Sequence, residues 1–175
     1  MTTYWTLPTI VSQYAEEGAE HAHIPWNELD NFSSLKSLNG KSIQTTRPLL
    51  HIARSPKLDI RMKTYYIRAT GFDFQNLPDV ISGVEARLTS NRLGRIVDET
   101  IQLCLDSNLV GDNQATLPIL PIKVYGGSSN LWNTSGLSLS DVQNSTFGIA
   151  VRFQSHHDWP HKDPAFIDAI ELRIH

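Results

Sequence analysis

The side chains best suited to chemistry crowd one stretch near the C-terminus, SHHDWPHKD, which carries His156, His157, Asp158 and His161. Imidazoles and carboxylates are natural ligands for a divalent metal, and His157 and His161 would converge if the chain turned between them. Pro160 and Pro164 forbid the helix that would impose that convergence. The stretch therefore reads first as a solvated loop tacked down by Trp159, and only weakly as a metal site. His21 and His23 form a still weaker pair. No cofactor is expected.

Other reactive groupings fail on spacing. Asp98 and Glu99 are adjacent in a strand-like run, so their side chains point to opposite faces. They cannot face each other across a cleft at about 5–10 Å, as glycoside hydrolysis requires. Gly40-Lys41-Ser42 resembles the tail of a phosphate-binding loop, but Leu35 stands where that motif needs a glycine. GGSSN (126–130) and GLSLS (136–140) set serines beside glycines without spelling the G-x-S-x-G of a nucleophile elbow. The lone Cys104 cannot form an internal disulfide and sits in an apolar run, where a thiol is inert. The chain is expected to be non-catalytic.

Aromatic residues leave a second possibility for a surface. Trp132, Trp159, Tyr65 and Tyr66 could stack on sugars, and adjacent Tyr65 and Tyr66 must face opposite ways in a strand. A tyrosine buried in a subunit contact explains the same pattern.

The elements that would position these residues are mostly strands. After residue 57 apolar residues alternate with polar ones: Leu58, Ile60, Met62; Val80, Ser82, Val84, Ala86, Leu88; Val97, Ile101, Leu103, Leu105. Ile149, Val151, Phe153 and then Ile170, Leu172, Ile174 repeat the pattern. Period two places one face on a core and one in water, as in antiparallel sheets. Turn signals such as Asp106-Ser107-Asn108 and Gly126-Gly127 separate the runs. The expected fold is all-β: an antiparallel β-sandwich of jelly-roll type with seven or eight strands. At most one or two short helices are expected. One lies over 26–38, between Pro25 and Asn39-Gly40, and one turn lies in LSDVQNSTF with Ser140 or Asp141 as cap.

Residues 1–50 read as an extended N-terminal arm and ordered loop region, and 51–175 as the sandwich domain. The arm's Tyr4, Trp5, Tyr14 and Trp26 are candidate contacts to a neighbouring subunit. In YGGSSNLW (125–132), Gly126 and Gly127 permit a tight turn, and Leu131 and Trp132 return as an apolar plug. Phe147 joins them as a core candidate. The formal charge of −3 gives no electrostatic case for nucleic acid or an anionic membrane. The first residues lack the basic and apolar regions of a signal peptide.

The order of several motifs carries further information. PWNELDN (25–31), YYIRATGFDFQNLPDVISGVEARL (65–88) and RIVDETIQLCL (95–105) precede LVGDNQA (109–115) and VYGGSSNLWN (124–133). LSLSDVQNSTFGIAVRF (137–153) and FIDAIELRIH (166–175) complete the set. This ordered set resembles a jelly-roll-like module of tailed-bacteriophage virion proteins. The resemblance implies a structural component of tail, neck or baseplate, or a capsid decoration. Its partners would be copies of itself, as a trimer or ring, and other virion proteins. Its location would be the virion, after synthesis in the host cytoplasm. Two departures stand out: Asn133 occupies a position often held by glycine, and SHHDWPHKD is particular to this chain. The alternative is a carbohydrate-binding sandwich that recognises a host-surface glycan.

Overall fold

The computed structural model describes residues 2–19, 23–27, 29–55, 58–90, 96–116, 121–155 and 162–175. Among the described residues strand dominates and helix is scarce, so the class is all-β, with antiparallel sheets that curl as a half-barrel. Thirteen strands stand among the described residues. They are β1 (Ile10–Tyr14), β2 (Ile43–Gln44), β3 (Leu49–Ser55), β4 (Leu58–Arg61), β5 (Tyr66–Thr70), β6 (Val84–Thr89) and β7 (Ile96–Leu105). There follow β8 (Asn108–Val110), β9 (Ile122–Gly126), β10 (Gly148–Ser155), β11 (Lys162–Asp163), β12 (Phe166–Ile167) and β13 (Ala169–Ile174). The larger sheet runs in the order β1-β5-β10-β7-β8, and a second runs β13-β6-β9. Shorter ladders, β11-β3-β4 and β12-β2, flank them.

Alternation explains most of the core. Val84, Ala86 and Leu88 of β6, Ile149, Val151 and Phe153 of β10, and Ile170, Leu172 and Ile174 of β13 are buried in one hydrophobic cluster. In β7 the alternation changes phase. A β-bulge opposite Arg152 and Phe153 pairs Arg152 with Thr100 and Phe153 with Asp98, leaving Glu99 without an opposite residue. An extra residue turns everything before it to the other face. Ile96 therefore joins the core cluster in place of Val97. The run from Val80 is also shorter than expected: β6 begins at Val84, and Val80 is exposed.

Among the described residues there are two short helices. A 3-10 helix spans Leu29–Lys36, inside the expected 26–38. The α-helix Leu139–Gln143 is capped by Ser138 rather than by Ser140 or Asp141. The Ser138 hydroxyl accepts from the Asp141 N–H while the Asp141 carboxylate accepts from the Ser138 N–H, a reciprocal box that fixes the start. Among the described residues no helix is long and apolar enough to cross a membrane.

The first residues are stitched to both sheets. Thr3 N–H donates to Ile174 O and Thr6 N–H to Leu172 O, each at 2.9 Å, so the segment lies along the outer edge of β13. Past Pro8 the same chain becomes β1 and pairs with β5 from Ile10↔Thr70 to Tyr14↔Tyr66.

Candidate functional site

The loop 125–132 is a corner held by the start of β6. Gly126 has φ +80°, and a Cβ there would lie 2.2 Å from Val84 O, so only glycine fits. Gly127 N–H donates to Val84 O, Asn130 N–H to Gly127 O, and Val84 N–H to Asn130 O. Trp132 N–H donates to Asn130 Oδ1 at 2.7 Å, and its indole Nε1–H donates to Val84 O at 2.9 Å. The backbone donors of Gly127, Asn130 and Trp132 are thus spent inside the fold rather than aimed at a ligand. Trp132 is fully buried, Phe147 is buried, and Leu131 packs against the same cluster. Asn133 has φ +56°, the left-handed region that a glycine would take without cost.

The bulge in β7 sends two adjacent carboxylates to two different polar clusters. Asp98 turns into the space between the sheets, where its Oδ2 accepts from Lys123 Nζ at 2.8 Å and Tyr125 Oη at 2.5 Å. Both partners belong to β9, so the cluster ties the larger sheet to the smaller one. Burial and the neighbouring Asp98 carboxylate push the Tyr125 hydroxyl above its usual range. Glu99, on the other face, accepts from Arg152 through both oxygens at 2.5 and 2.9 Å, from Lys63 at 2.8 Å and from Thr100 at 2.6 Å. Burial raises its carboxyl, but the hydrogen bonds from Arg152, Lys63 and Thr100 outweigh it and hold it at about 2. Arg152 also donates to Glu16 at 2.7 Å.

The outer face of the larger sheet carries a stack built on that arginine. Arg152 lies 4.1 Å from the Tyr66 ring, Tyr66 stacks on Tyr14 at 4.9 Å, and Arg68 covers Tyr14 at 4.3 Å. Such stacking holds both cations over ring faces with favourable quadrupole geometry. Burial pushes the Cys104 thiol beside Arg68 up to about 12, which leaves it unreactive. These carboxylates, cations and rings are engaged with one another. They serve as ties between strands.

The four expected assembly contacts separate. Trp26 is 1 % exposed, its Nε1–H donates to Tyr65 O at 2.9 Å, and it packs edge-on to Phe153. It is a core residue of its own chain, a correction to its expected role, because an indole inside the cluster cannot reach a neighbour. Tyr14 lies within the ring stack described above. Trp5 sits between Arg87 and Arg173, at 4.5 and 4.4 Å, on the outer face of the smaller sheet. Tyr4 alone stands free, at 81 % exposure.

Of the rings considered for sugar stacking, Trp132 is core, Tyr66 is sandwiched, and Tyr65 is partly buried against the cluster. Trp159, and with it His156, His157, Asp158 and His161, lies outside the described residues. Gly40-Lys41-Ser42 forms an exposed turn in which Asn39 Oδ1 accepts from Lys41 N–H.

The surface that sequence reasoning missed is the strand β9. It ends its sheet, and among the described residues nothing pairs with its outer edge. Ile122 and Val124 are 59 % and 49 % exposed on its outward face. Lys123 between them would blunt such an edge if its charge were free, but it points inward to Asp98. Pro121, immediately before the strand, is the available signal, since proline within sheets marks edge strands and strand starts. Comparison with family models, curated proteins and solved structures finds no match to this chain.

Proposed function

We propose that the chain is a non-catalytic structural component of a tailed-bacteriophage virion. It is a β-sandwich of jelly-roll type that joins copies of itself and other virion proteins in the tail, neck or baseplate, or on the capsid. The virion assignment rests on the order of motifs from residue 25 to residue 175. What supports assembly is the outer edge of β9. A strand with two exposed β-branched residues and, among the described residues, no partner along its edge is a template for another chain.

The test is light scattering on the purified chain beside a Val124→Lys variant, with a density map of the intact particle. A defined oligomer that the variant dissociates, and density for this chain in the particle, support the reading. A wild-type monomer that never enters particles overturns it.

A further inference from the structure

A groove of about 260 Å³ opens where the 3-10 helix, β2 and β12 meet, lined by Asn27, Ser34, Ser42, Ile43, Gln44 and Phe166. Its walls follow from local pairing. Gln44 stands opposite Phe166 and Ile43 opposite Ile167, while Asn27 N–H donates to Gln44 O at 2.8 Å from the other side of β2. Backbone pairing on both sides fixes the positions of the amide side chains without consuming them. Among the described residues the side chains of Asn27, Ser34 and Gln44 make no hydrogen bond within the chain. Ser42 differs: its hydroxyl favours the charged form of the nearby Asp168 carboxyl, against the burial that raises it.

We propose that this groove binds a neutral, hydroxyl-rich ring, a single sugar unit of the hexose class. Among the described residues its lining holds amides and hydroxyls and no charged side chain, a surface suited to a neutral ligand. Amides and hydroxyls offer both donors and acceptors, the complement of a polyol. Phe166, half-buried on β12, supplies the apolar wall on which the C–H face of a ring rests. The volume lies below the ~300–1,000 Å³ of drug-sized sites, which sets the ligand at one ring. The site is separate from the buried Trp132 and from the β9 edge, so it stands or falls independently of the virion assignment.

The test is amide chemical-shift mapping of the full chain, titrated separately with glucose, galactose, N-acetylglucosamine and, as an ionic control, inorganic phosphate. The expected result is saturable shifts at Asn27, Ser34 and residues 42–44 with at least one sugar and not with phosphate, at a Kd of ~1 mM. An Asn27→Ala, Gln44→Ala variant should weaken that binding at least tenfold with an unchanged melting temperature, since neither side chain is bonded in the fold. Silence with every sugar, shifts elsewhere, an equal response to phosphate, or undiminished binding by the variant overturns the proposal.

Discussion

At the scale of single residues, Trp132 shows how a loop that resembles a ligand cradle becomes a structural corner. Its ring fills the core, its Nε1–H is bonded to Val84 O, and its carbonyl accepts from Asp112 N–H at 2.5 Å. Its φ of +59° is rare for a bulky side chain, so the corner carries strain that the buried ring must offset. Trp132→Ala is expected to destabilise the chain by about 3–5 kcal/mol in urea unfolding. Trp132→Phe keeps much of the ring and loses one hydrogen bond. Because Val84 O also accepts from Gly127 N–H at 3.3 Å, the change should cost less than the alanine substitution. The glycines and the returning Leu-Trp pair were legible, because Gly126 has a conformation that residues with a Cβ resist. The left-handed backbone of Trp132 was not, since bulky side chains disfavour it and long-range bonds impose it.

At the scale of elements, alternation located the strands, and one inserted residue decided what they do. Sequence alternation sets Asp98 and Glu99 on opposite faces, as found, but the bulge reverses which face is inside. Nothing local announces a bulge; its cause is the pairing of β7 with β10, a contact about fifty residues apart in the chain. Its consequence is testable at Asp98. Asp98→Ala leaves Lys123 buried without its counter-ion and should cost about 3–5 kcal/mol, whereas Asp98→Leu with Lys123→Met should recover most of that loss. Equal costs for the single and double changes in urea unfolding would contradict the tie between sheets. Glu99 supplies a pH dependence. Its folded value of about 2 lies below an ordinary 4.5, so its contribution is complete above 4.5 and is lost as pH falls toward 2. Glu99→Gln should flatten the fall of stability across that acid window.

At the scale of the whole molecule, the division at residue 50 into arm and domain misses a physical fact. The first residues supply strand to both sheets, and Trp26 lies in their common core. A sequence rich in aromatics and prolines reads as an arm because its partners, β5 and β13, lie far away along the chain. The neighbouring rings Tyr4 and Trp5 separate the two roles that an arm could have. Trp5 is clamped between Arg87 and Arg173, while Glu171 and Glu85 fix those arginines by ion pairs, so its contacts are internal. Trp5→Ala should lower stability by about 1–2 kcal/mol through the two lost cation–ring contacts. It should also speed hydrogen exchange at the Leu172 amide, which donates to Thr6 O at 3.0 Å, and at Ile174, which donates to Thr3 Oγ1 at 2.8 Å. Tyr4→Ala removes a ring with no role in that clamp and should leave both exchange rates and the melting temperature unchanged. If Tyr4 contacts a neighbour, the same change lowers the oligomer mass seen by light scattering. The opposite pattern, with Tyr4 governing exchange at Leu172 and Trp5 governing only mass, would mean that the segment is held by another subunit rather than by its own β13.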